Sequence, residues 1–187
     1  MRTSDVDILT VSGRTVPNPD DWLSRWQRNF KTARPVDPIG SHHPRRDAST
    51  ASLIAAIGQA QRPAIVVAHG LGVVALAHAA PFFDPVKLAG AFLVAPIDLH
   101  APENGDAQIA MAHGFAPVSL ALLPFRSTLI ASSNDPYCSI ERAETFAVAC
   151  GSAFINAGDL GHIDSQSGHG PWPDGLLRFG LFLKSLG

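Results

Sequence analysis

The chain has 187 residues, 46% of them hydrophobic and 16% charged, with a formal net charge of -2; this suits one domain with a substantial core, expected to span residues 1–187, and is short for two. The balance excludes a disordered chain. With no clustered positive charge beyond Arg45 and Arg46, read as a solvated loop, it also argues against a nucleic-acid partner. No run approaches the roughly 18 apolar residues of a membrane span, and Asp5 and Asp7 stand where a secretion signal would carry its apolar core, so a soluble, cytoplasmic protein away from membranes is expected. Cys138 and Cys150 fit no metal spacing and are read as reduced thiols. None of the eight histidines forms a helical i, i+4 pair beside a glutamate, and adjacent His42 and His43 would point apart, so neither a metal nor another cofactor is expected.

Along the chain, short apolar runs alternate with helical patterns. Val6–Val11 reads as a first strand. In "NPDDWLSRWQRNF" Asn18 stands as helix N-cap and Pro19 at the first helical position, with Trp22, Trp26 and Phe30 repeating on one face as a core stripe. A proline-rich stretch from Ala33 predicts a short edge strand and a loop, and "ASTASLIAAIGQA" resumes a helical period. The strand "AIVVAH" then meets the helix "LGVVALAHAA" through a tight glycine-bearing turn. "AGAFLVAP" and "RSTLIASS" are continuous apolar runs flanking a long stretch from Ile97 to Phe125; their lack of alternation suits strands covered on both faces. A helix capped in part by Ser139, a strand "SAFINAG" and a closing amphipathic helix complete the order. Strands alternating with helices of this size predict a three-layer α/β/α sandwich on a mainly parallel sheet, with its ligand site at the carboxyl ends of the strands.

Three strand ends carry polar residues: "AHGLG", "SSNDPYCS" and "GDLGHIDSQSGHGPWPDG". Nucleophile, acid and histidine in that chain order would fall at Gly70, Asp135 and His162. Histidine takes the nucleophile's proton and a buried carboxylate holds its ring in the right tautomer, so two of three parts are present. Glycine has no hydroxyl or thiol, although it tolerates the strained backbone of such an elbow. Asp135 also sits in Asn-Asp-Pro, a natural turn sequence, and the weaker alternative for His162 is a core or loop histidine satisfied by its neighbours. His69 and Gly72 are read as serving the elbow's geometry, and Cys138 as packing.

These motifs bring a family into view. "VVAHGLG" is similar to the "AHSLG" elbow, "NDPYCSIERAETFA" to the "DDPYCS" acid loop, and "GHIDSQSGHGPWPDG" to the "GHINxxSGxGxWPxG" histidine loop of the small serine hydrolases related to retinoblastoma-binding protein 9. The resemblance runs over essentially the whole chain and implies a compact α/β-hydrolase fold without a large lid. It further implies hydrolysis of small esters or amides, with Asp135 as triad acid, His162 as base and Gly70 at the nucleophile position. The N–H of Leu71 would be one oxyanion donor, and Gly13 or Arg14 on the loop after the first strand the other. Where the family reads close to "PGxxGSxPxHW", this chain reads "SGRTVPNPDDW": Ser12 replaces proline, Asp21 replaces histidine, and Pro17 removes an N–H. Asp164 replaces asparagine.

Three explanations of Gly70 stand open: an engineered removal of serine, natural loss leaving a binding pseudoenzyme, or a site in which His162 activates water. The clustered departures argue for natural divergence, with weak or absent turnover. The partners expected are a small ester-like ligand or, on the rival reading of a non-catalytic binding module, a protein or small molecule. An exposed apolar groove near Phe82, Phe83 and Phe115 would favour the rival.

Overall fold

The inner strands of the predicted sheet carry apolar side chains at odd and even positions alike, and the computed structural model, which describes residues 1–13, 18–36, 45–100 and 113–187, shows why. Six strands, Asp7–Val11 (β1), Ala33–Pro35 (β2), Ala64–Gly70 (β3), Leu88–Pro96 (β4), Arg126–Ala131 (β5) and Ala153–Asn156 (β6), form one sheet in the order β2-β1-β3-β4-β5-β6. Every neighbouring pair is parallel. Leu9 and Val11, with Val66 and Ala68, face one apolar cluster that also contains Leu53, Ile57, Leu76 and Phe146. Ile8, Ile65 and Val67 face another, built on Trp22, Trp26, Phe92 and Phe179. Side chains alternate across a strand, so a sheet apolar on both faces gives an unbroken apolar run.

The two clusters define the layers. Helices Arg46–Gly58 (α2), Leu71–Ala79 (α3) and Ile140–Cys150 (α4) supply buried side chains to the first, and Trp22–Asn29 (α1) and Pro173–Ser185 (α5) to the second. The fold is thus the expected α/β/α sandwich. Arg46 opens α2 rather than decorating a loop, with Arg45 at its N-cap. Strand β1 can begin on Asp7 because its carboxylate accepts the main-chain N–H groups of Gln61 at 2.7 Å and Arg62 at 3.2 Å, and the Arg62 guanidinium at 3.0 Å. Burial pushes this carboxyl up, but those donors outweigh it and hold it below the usual carboxylate range.

The aromatic stripe packs as the sequence predicts, Trp22 against Trp26 with ring centroids 4.7 Å apart and Trp26 against Phe30 at 5.7 Å. The start of α1 differs. The helix begins at Trp22, with Asp21 at the N-cap position, because Asn18 turns its side-chain oxygen onto the N–H of Asp20 at 3.0 Å and so closes a turn before the helix. Ser139 caps α4 as expected, accepting the N–H of Arg142 at 3.3 Å, and Gly151 ends it at φ 69°.

The chain passes from β1 out to β2 and returns across β1 to β3, so the strand order reverses between β1 and β3. In parallel α/β sheets the crevice at such a reversal, beyond the carboxyl ends of the strands, is where ligands bind. Gly13 and Gly70 both lie there.

Candidate functional site

Strand β3 passes into α3 with no intervening residue, and the turn is made by Gly70 at φ 59° and ψ -126°. A residue with a Cβ is strained at positive φ, whereas glycine is not. A side chain at this position would place its Cβ 3.3 Å from Nε2 of His162 and 3.9 Å from Cδ1 of Ile97. The other ring nitrogen, Nδ1, lies 3.1 Å and 3.0 Å from the two carboxylate oxygens of Asp135. Both side chains are buried, 8% and 2% exposed. A carboxylate can only accept, so Nδ1 carries a proton, and the neutral ring then presents its Nε2 lone pair toward residue 70.

The structure therefore brings together Gly70, Asp135 and His162 from three strand ends. Asp135 also accepts the N–H of Tyr137 at 2.9 Å, so the same side chain closes its turn and faces the imidazole. Ser132 and Asn134 tie the acid loop to the histidine loop: Ser132 Oγ accepts the N–H of Leu160 at 2.9 Å, and Asn134 Oδ1 accepts that of Gly161 at 2.7 Å. Cys138 is buried, its thiol pushed up to about 12 by desolvation and then by Asp98 and Asp135. A protonated thiol is a poor nucleophile.

Contacts between distant segments hold His162 in place, and the sequence did not announce them. His69 donates from Nε2 to the main-chain oxygen of His162 at 2.8 Å, Tyr137 sets its ring edgewise against the imidazole with centroids 4.5 Å apart, and Trp22 donates to Ile163 O at 2.8 Å. Two residues of the segment before α1 join the same brace. Asn18 donates to Ser165 Oγ at 2.7 Å, and Asp21 accepts the Ser165 N–H at 2.8 Å. Asp164 accepts the Ser167 N–H at 2.9 Å and its hydroxyl at 2.8 Å, closing a tight turn. Asn18 and Asp21 thus knit the first loop to the histidine loop.

His69 is buried, and its imidazole is pushed down to about 3 by desolvation and then by His162, against the opposing pull of its hydrogen bond and of Asp164 and Asp21. Its folded value lies below the value of about 6.5 in an unfolded chain, so in between the unfolded state binds the proton and the folded state does not. Folding stability from this group is complete above pH ~6.5 and falls as pH drops toward 3. Urea unfolding at pH 7 and pH 5 should show a loss of about 2 kcal/mol from His69. His69→Gln, which keeps an N–H donor but no titratable ring, should remove that part of the loss; an unchanged difference would place the pH sensitivity elsewhere.

Among the expected oxyanion donors, Leu71 is the first residue of α3, where helix N–H groups have no partner within the helix. Gly13 lies against it: a Cβ there would collide with the Leu71 main-chain nitrogen and stand 3.0 Å from His69 O. Gly13→Ala is therefore expected to push the first loop off the elbow and cost about 1–3 kcal/mol in urea unfolding, and a neutral result would show that the loop gives way freely. Arg14 lies outside the described residues. Phe83 and Phe115 are buried in the core, at 7% and 0% exposed, whereas Phe82 is exposed and lines an open hollow with Ile54, Ala51 and His78. Among the described residues no helix is long and apolar enough to cross a membrane.

Residues 8–180 match the model of a family described as serine hydrolase. The fold is similar to that of a YdeN-like hydrolase of Pectobacterium atrosepticum, at 25% identity and a TM-score of 0.84, over 98% of this chain and 94% of that one. It is similar also to the ydeN gene product of B. subtilis, at 17% identity and a TM-score of 0.74 over 92% and 97% of the two chains. A third likeness is to Thermogutta terrifontis esterase 2, at 15% and 0.70 over 100% and 86%. No curated protein matches the sequence.

Proposed function

The chain belongs to the serine hydrolase family, and from that premise we propose that Gly70, Asp135 and His162 are the remains of an ester- or amide-hydrolysing triad that has naturally lost its nucleophile, in the branch related to retinoblastoma-binding protein 9. The observation that carries this reading is the line of contact from Asp135 through Nδ1 and Nε2 of His162 to the space a side chain at Gly70 would fill, 3.3 Å away. In a complete triad a hydroxyl at that point passes its proton to Nε2 as it attacks the carbonyl carbon. Asp135 then stabilises the imidazolium, the Leu71 N–H takes the developing oxyanion, and His162 returns the proton to the leaving group.

With glycine at residue 70 no acyl-enzyme can form, and turnover is weak or absent. The base, its orienting carboxylate and the elbow backbone remain, so the site keeps the means to hold a small ester-like ligand without capturing it. An active-serine phosphonate tests this directly. Intact-mass analysis should find the chain unmodified and Gly70→Ser carrying one adduct; labelling of the unmodified chain at another serine would place the site elsewhere.

A further inference from the structure

On the acid-loop side of the elbow lies a small cavity of about 60 Å³, lined by Ile97, Val118, Leu120, Cys138 and Phe146 together with the polar Asp98, His100, Arg142 and Thr145. Most of its polar groups are already engaged, with Thr145 Oγ1 donating to Glu141 O at 2.7 Å. Arg142 donates from Nε to Asp98 Oδ2 at 3.1 Å and from Nη2 to Oδ1 at 3.3 Å, while the Asp98 N–H goes to Tyr137 O at 2.9 Å. Charges that satisfy each other leave no partner for a charged ligand group, and the side chains of Ile97, Val118, Leu120, Cys138 and Phe146 reward an apolar one. Ile97 joins the cavity to the site: it lines the one, and its Cδ1 is 3.9 Å from where a Cβ at residue 70 would stand.

We infer that this cavity is the subsite for the acyl chain of a short-chain ester, entered past Ile97; the inference rests on the hydrolase reading for the orientation of the ester. The leaving alcohol must stay at His162 Nε2 to receive its proton, and the acyl chain, attached to the carbon at residue 70, extends toward the other neighbour, Ile97. An apolar cavity of about 150 Å³ holds a benzene ring, so this one has room for roughly two or three carbons. The preferred acyl group is therefore propionyl or butyryl, and acetyl leaves the cavity unfilled.

The test needs no turnover. The unmodified protein, labelled at its isoleucine and valine methyl groups, is titrated by NMR with methyl butyrate and with methyl acetate. Methyl butyrate should shift the Ile97 and Val118 methyls saturably and bind about tenfold or more tighter than methyl acetate. Val118→Phe, which fills the cavity, should bring the two affinities within about twofold, and Val118→Ala, which enlarges it, should move the preference to methyl hexanoate. Absence of discrimination in the unmodified protein, or the same ratio in a folded Val118 variant, overturns the subsite. Hydrolysis of acetate esters by Gly70→Ser reports separately on the catalytic reading: methyl butyrate discrimination with an inert Gly70→Ser keeps the subsite and removes the triad, whereas turnover without discrimination removes the subsite alone.

Discussion

In a Gly70→Ser background, Asp135→Asn is expected to lower kcat for a short activated ester by about a thousandfold to ten-thousandfold. Both Asp135 oxygens lie 3.0–3.1 Å from Nδ1, and the pair is shut away from the water that would otherwise substitute for the lost carboxylate. An amide can turn its NH2 toward Nδ1, which drives the ring proton to Nε2 and leaves no lone pair for the serine hydroxyl. Asparagine still accepts the Tyr137 N–H, so the turn survives and circular dichroism should be unchanged. A loss smaller than tenfold would mean that Asp135 serves the turn alone.

The largest stability effect is expected from Trp22→Ala, at about 3–5 kcal/mol in urea unfolding. Trp22 is 1% exposed and packs edgewise on Trp26 at 4.7 Å, Trp172 at 5.0 Å and His69 at 6.0 Å between ring centroids. Removing it empties the centre of the aromatic cluster and leaves the Ile163 carbonyl, one residue from His162, without its indole donor. Trp22→Phe fills most of the space but makes no hydrogen bond, and should cost about 1–3 kcal/mol. Equal losses in the two variants would show that the hydrogen bond rather than the packing dominates.

Much of this architecture is legible in the sequence because it follows from short-range rules. Unbroken apolar runs in β3 and β4 announce a sheet buried on both faces, and a glycine between an apolar strand and an apolar helix announces the elbow. Asp135 and His162 stand out because each closes a strand-end loop in the order the chemistry requires. What escapes is set by partners far along the chain. Asn18 has the composition of an N-cap, yet it caps a turn and reaches Ser165, 147 residues away. The hydrogen bond of His69 to His162 and the position of Ile97 between elbow and cavity have no periodic signature. Phe83 and Phe115 look available for an exposed groove, yet both lie in the core, leaving only Phe82 at the surface.

The central claim is that the missing side chain is the main defect of a site otherwise assembled for acyl transfer. The measurement that bears on it most directly is the initial rate of p-nitrophenyl acetate hydrolysis by Gly70→Ser against that of the unmodified chain, with both proteins verified as folded. A gain of at least about a hundredfold is expected, partial relative to an intact hydrolase because Pro17 removes an N–H from the first loop and losing one oxyanion donor costs about a hundredfold to a thousandfold. Equal rates in the two proteins would contradict it.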